Sequence, residues 1–162
     1  MARTKAVTGG EEFSALLNNL AGDQVITVMK SACYSGVGVL ADAIKSEIRN
    51  LPEEDGYMRP GKKRNVIGKH DKRKLEEKLG VSHIEATGDK ATVAVSFAGY
   101  NDRPTKKYPN GVPIPLIARS IESGSSVRQK NPFIRRAFNN AQTQAQEAAI
   151  DAGQKALNEL IK

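Results

Sequence analysis

The chain has 162 residues, 27% of them charged and 39% hydrophobic, with a net charge of +7 and a pI near 9.6. That length is one domain, burying roughly 70% of its unfolded surface, and no run approaches the roughly 18 apolar residues of a membrane span. Cys33 is the sole cysteine, which excludes an intrachain disulfide and a thiolate zinc site, while the basic balance points to acidic partners or nucleic acid.

The opening MARTKAVTGGEEF carries basic residues without an apolar signal core behind them, so a cytoplasmic setting is expected. Thr8-Gly9-Gly10-Glu11 has the form of a capping box. It predicts a short helix from about Gly9 to Leu20, with Phe13, Leu16, Leu17 and Leu20 on one side. Gly22-Asp23 breaks that helix, and Asp23 is placed to cap the next. Between Gln24 and Asn50, Val25, Met29, Ala32, Cys33, Gly36, Leu40, Ile44 and Ile48 recur at helical spacing. This is one long amphipathic helix, closed by Pro52. Gly36 and Gly38 inside it lack the third glycine and the preceding strand of a nucleotide-binding loop. Glycine within a helix costs about 1 kcal/mol relative to alanine, so close packing or a local bend is their expected use.

Residues 53–69 have no periodicity, contain Gly56, Pro60, Gly61 and Gly68, and read as an exposed basic loop. Asp71 to Leu79 is a short charged helix stopped by Gly80. Ile84, Ala86, Val93, Val95 and Phe97 then alternate with polar or small residues as half-buried strands do. Gly88-Asp89 between them suits a two-residue hairpin turn. Asn101 to Pro113 is loop again, with Pro104, Pro109 and Asn110-Gly111.

A short amphipathic segment with Leu116, Ile117 and Ile121 runs into a Gly-Ser break and a basic hinge. Asn131-Pro132 then opens a final helix over residues 131–162, Asn as its N-cap and Pro at its first helical position. Ile134, Phe138, Ala141, Ala145, Ala148, Ala152, Ala156 and Leu160 form its expected apolar stripe. The sum is a single α+β domain over 1–162. A small antiparallel β-sheet centred on residues 82–98 packs against two long α-helices.

The chemistry-bearing groups are mostly charges. Arg59, Lys62, Lys63, Arg64, Lys69, Lys72, Arg73 and Lys74 crowd one stretch against a single acid, Asp71. They are candidates to contact DNA phosphates or an acidic neighbouring subunit, and the bland alternative is a solvated loop. No aromatic residues are interleaved to stack bases. His70 and His83 have no metal-ligand spacing, and Ser123, Ser125 and Ser126 have no evident base. No catalytic residue, cofactor or metal is expected.

Two short elements lie in fixed order near the end of the chain: Glu122-Ser123-Gly124-Ser125-Ser126, then Pro132-Phe133-Ile134-Arg135 before the long helix. Upstream stand Phe97-Ala98-Gly99-Tyr100 and Lys107-Tyr108-Pro109-Asn110-Gly111, leading to Leu116-Ile117-Ala118-Arg119. Val7-Thr8-Gly9-Gly10 precedes Glu12-Phe13 and Leu16-Leu17 at the opening. In order and spacing this pattern resembles the head–tail joining, or neck, proteins of long-tailed phages and prophages. The pattern departs where many relatives have Asp-Thr-Gly-x-Leu, because here Lys72-Arg73-Lys74-Leu75 keeps only the leucine.

The resemblance implies a structural virion protein, without enzymatic activity, at the head–tail interface or the top of the tail, of the tail-completion or terminator-like kind. It implies copies closed into a ring, sixfold to match the tube, around a channel for DNA. Neighbouring neck, head-closure and tail-tube proteins would be its partners, with no membrane, and assembly would occur in the host cytoplasm. Glu122, Gly124, Ser125, Pro132 and Phe133 match the family's structural motif, and Gly124, Pro132 and Phe133 would set how the last helix docks. Arg135 also matches, with a salt-bridge or interface role. The rival reading is a sequence-independent basic DNA-binding module.

Overall fold

A computed structural model describes residues 22–53, 66–87 and 90–160. The expected opening helix and its capping box lie outside the described residues, as do Gly88-Asp89 and Arg59, Lys62, Lys63 and Arg64 of the basic tract.

Helix α1, Gly22–Arg49, and helix α4, Phe133–Leu160, are the two long elements. Helix α2 covers Lys69–Glu77 and helix α3 covers Ile114–Glu122. Between α2 and α3 lie β1 (Leu79–Val81), β2 (Glu85–Thr87), β3 (Lys90–Thr92) and β4 (Val95–Phe97). The α+β class is as the sequence indicates. The strands form two antiparallel pairs, β1 with β4 and β2 with β3. Leu79 faces Phe97 and Val81 faces Val95 in the first; Glu85 faces Thr92 and Thr87 faces Lys90 in the second. Ile84 is buried, and Ala86, Val93, Val95 and Phe97 are half-buried, so the alternation does mark the inward face.

α1 and α4 pack antiparallel. Ser31 Oγ donates to the Ala152 carbonyl at 3.5 Å, Gly36 lies against Ala145, and Arg136 Nη2 meets Glu47 Oε2 at 2.9 Å. Sequence numbers rise along one helix as they fall along the other. Contact this close needs small side chains, and a Cβ on Gly36 would approach the Ala145 carbonyl oxygen to 2.9 Å. Gly38 has open space around it, so only one of the two glycines serves packing.

The buried positions of α4 differ from the expected stripe. Phe133, Ala137, Ala141, Ala145, Gly153 and Leu157 are buried, while Phe138 is 48% exposed. These positions recur every four residues or multiples of four. A 3.6-residue helix drifts by about 40° at each such step, so the buried stripe winds round α4. Its first turns meet the main core and its middle meets α1.

Other boundaries move for identifiable reasons. α2 begins at Lys69, not Asp71, and ends at Glu77, because Leu79 and Gly80 leave the helix to pair with Phe97 and Ser96. Leu116 is 41% exposed on α3, whereas Ile114, Ile117, Ala118 and Ile121 are buried. Lys69, read as loop, is the first helical residue of α2. The main core gathers at one end of the α1/α4 pair, where Ile44, Ile48, Leu75, Leu79, Ile114, Ile121 and Phe133 pack together.

Candidate functional site

The turn between α3 and α4 is built by the residues that carry the resemblance. α3 ends at Glu122. Gly124 follows with φ 79°, a conformation in which the lone αL residue is normally glycine, and a Cβ there would sit 3.1 Å from the Lys130 amide. Ser125 Oγ accepts from the amides of Val127 (3.3 Å) and Arg128 (3.0 Å), and Ser125 N–H donates to the Arg128 carbonyl at 3.0 Å. The Asn131 amide donates back to the Ile121 carbonyl at 2.8 Å, which closes the turn on α3.

The start of α4 corrects the expected cap. The first helical bond runs from the Arg136 amide to the Pro132 carbonyl at 3.0 Å, so Pro132 stands at the N-cap and Phe133 is the first helical residue. The next two amides, Ile134 and Arg135, donate to Glu122 Oε2 at 2.9 Å and Oε1 at 3.3 Å. One carboxylate from the end of α3 therefore takes two of the orphan donors of α4. It also places a negative charge at the positive pole of that helix. Asn131 Oδ1 instead receives Arg136 Nη1 at 2.8 Å. Phe133 is fully buried, edge-on to Phe97 with ring centroids 6.3 Å apart. Arg135 is exposed, its side chain in no ion pair among the described residues.

A carboxylate at a helix C-terminus is unfavourable for its own helix. That misplaced charge at Glu122 was the available sequence signal for a cap acting across the turn.

The described half of the basic tract divides in two. Lys72 Nζ donates to the Leu51 carbonyl at 2.9 Å and meets Glu53 Oε2 at 3.3 Å. Lys74 Nζ meets Asp102 Oδ2 at 2.7 Å and Glu77 Oε2 at 3.2 Å. The side chains of both are largely buried and bind the fold together. Lys69 and Arg73 remain exposed, one turn apart on α2. Arg73 shares Glu77 at 3.4 Å, an exposed pair of little strength.

Lys69, His70, Lys72 and Arg73 line an open concavity of about 440 Å³ with Glu53, Glu76 and Arg103. Glu53 also pairs with Ile67 as a parallel bridge.

A buried polar hub connects the concavity to the turn. Asn101, 4% exposed, accepts the amides of Arg103 (3.1 Å) and Val112 (2.9 Å) on Oδ1. Its Nδ2 donates to Asp71 Oδ1 at 3.0 Å, and Asp71 Oδ2 meets Arg128 Nη2 at 3.5 Å. His70 Nε2 donates to the Asn101 carbonyl at 2.6 Å. In the sequence Asn101 is only the start of a loop, and nothing periodic marks it. Among the described residues, no three His, Cys, Asp or Glu side chains are grouped to hold a metal ion.

Comparison of the chain with protein-family models, with curated proteins and with solved structures finds no match to any of them.

Proposed function

We propose that the protein is a structural part of a tailed phage or phage-tail-like particle. It acts at the head–tail interface or the top of the tail, as identical copies closed into a ring around DNA. The reading assigns a catalytic role to no residue. The carrying observation is an inversion on α4. Of its six large apolar side chains, Phe138, Ile150 and Leu160 are exposed, while alanine and glycine supply most of the buried stripe. A helix that leaves half of its large apolar side chains exposed and packs chiefly through small ones is suited to a second contact. The domain has few aromatic residues, and burial against a neighbour would add what its own core lacks.

The motif of the turn supports the same reading. Glu122, Gly124, Ser125, Pro132 and Phe133 each fix how α4 leaves the body of the fold. A stiff exit is what a ring requires, since heterologous contacts close only when every copy repeats one rotation. Native mass spectrometry and negative-stain microscopy of the purified chain test this. Closed rings of one fixed copy number, six for a sixfold tube, are expected as concentration rises. A monomer at every concentration that binds duplex DNA tightly would instead favour the basic DNA-binding module, which the concavity on α2 could equally serve.

A further inference from the structure

We propose that the concavity between α2 and Arg103 is a binding site for the phosphodiester backbone of DNA, with Lys69, Arg73 and Arg103 as its contacts. This deepens the ring reading and rests on it for the identity of the nucleic acid, because it names the face turned toward the channel.

Among the described residues, these three cations of the concavity are the ones the fold leaves without a strong partner. The concavity has two acids, and both are already engaged: Glu53 by Lys72 at 3.3 Å, Glu76 by Arg49 through Nε at 2.7 Å. Lys69 and Arg103 have no ion pair among the described residues, and Arg73 holds only its exposed pair with Glu77. The uncompensated charge is positive. Lys69 also occupies the first turn of α2, where the helix dipole repels a cation, and Gly68 before it offers no side-chain cap. A charge kept at an unfavourable position indicates a use beyond the fold. An anion arriving there relieves the repulsion from Lys69 and meets the open helix end together.

The lining also discriminates between partners. Every residue of it is charged or histidine. A protein partner needs an apolar centre from which water is expelled, and a base needs an aromatic platform. Neither is present in this concavity. A backbone phosphate needs only cations and hydrogen-bond donors, and it is read without regard to sequence.

The test is fluorescence anisotropy of a labelled random-sequence duplex against the full chain over a salt series. Lys69→Ala, Arg73→Ala and Arg103→Ala are combined in one variant. A control variant removes the same charge elsewhere through Lys30→Ala, Arg119→Ala and Lys155→Ala, all exposed positions. The site variant is expected to lose roughly tenfold or more in affinity. Its log–log salt slope should become shallower by about 3, one for each phosphate contact. The control should lose far less, and circular dichroism should show both variants folded.

Equal losses in the two variants would overturn the proposal, because binding would then follow net charge alone. Weakened binding of polyglutamate with DNA binding intact would also overturn it, by making an acidic protein the partner. Inorganic phosphate displacing the duplex at equal concentration would overturn it in favour of a free-anion site. Ring formation is scored in the same samples. DNA binding lost with rings intact leaves the site established and the assembly reading standing. Rings absent with site-dependent binding retained would remove the assembly reading alone.

Discussion

Gly36 on α1 faces the backbone of α4 so closely that a methyl group in its place would come within 2.9 Å of the Ala145 carbonyl oxygen and 3.1 Å of Ala149 Cβ. The obstruction is backbone and cannot swing aside. Gly36→Ala should therefore destabilise by about 1–3 kcal/mol, despite the better helix propensity of alanine. Gly38→Ala, two residues away in open space, should be neutral or stabilising by up to about 1 kcal/mol. Urea denaturation of the two variants checks the contrast. Similar midpoints would mean that the helices do not meet at Gly36.

Glu122 caps a helix that is not its own. Glu122→Ala removes the acceptor of the Ile134 and Arg135 amides and should cost about 1–2 kcal/mol, in the range of N-cap deletions. Glu122→Gln keeps an acceptor oxygen and loses the charge, so a smaller loss is expected. Hydrogen exchange of those two amides gives the local readout. Unchanged protection in Glu122→Ala would contradict the cap.

Phe133 anchors the same helix from inside. It is fully buried and packs edge-on to Phe97, so Phe133→Ala should destabilise by roughly 3–5 kcal/mol. Phe138→Ala, five residues on and 48% exposed, should barely move the unfolding midpoint of the isolated chain. Should Phe138 lie between copies in a ring, its truncation would weaken assembly instead.

The Lys74–Asp102 pair sets a pH dependence. The hydrogen bond from Lys74, followed by its charge, holds the Asp102 carboxyl below its ordinary value. Asp102 and Glu77 in turn raise the Lys74 ammonium above its own. A lowered carboxyl contributes stability above its unfolded pKa and loses it as pH falls through the folded value. A raised ammonium contributes below its unfolded pKa and loses it as pH rises through the folded value. The bridge should thus be constant between about pH 5 and pH 9 and fail on either side. Asp102 has φ 59°, which asparagine tolerates, so Asp102→Asn isolates the charge from the backbone. Thermal midpoints across the pH range should differ between wild type and variant at neutrality and converge in acid.

Much of the fold was legible where burial follows one period. The alternation at Ile84, Ala86, Val95 and Phe97 identifies the inward face of the strands, and Ile44 and Ile48 hold the core end of α1. α4 was less legible, because an alanine-rich helix offers nearly equivalent stripes and the choice falls to a close partner. Gly36, not the bulk of any α4 residue, decides that Ala145 is inside. At the candidate site, composition pointed to the basic tract but could not separate Lys72 and Lys74, spent on Glu53 and Asp102, from Lys69 and Arg73. Arg103 joins them only through the loop that Asn101 holds in place, a long-range contact with no local signature.

Cryo-EM of the particles assembled when the genome that encodes this chain is expressed is the most direct test of the assembly claim. The expected result is density for the fold on the tail axis, repeated as a closed ring with the outer face of α4 against the neighbouring copy. Particles complete without the chain, or a chain bound only as scattered single copies, would contradict it.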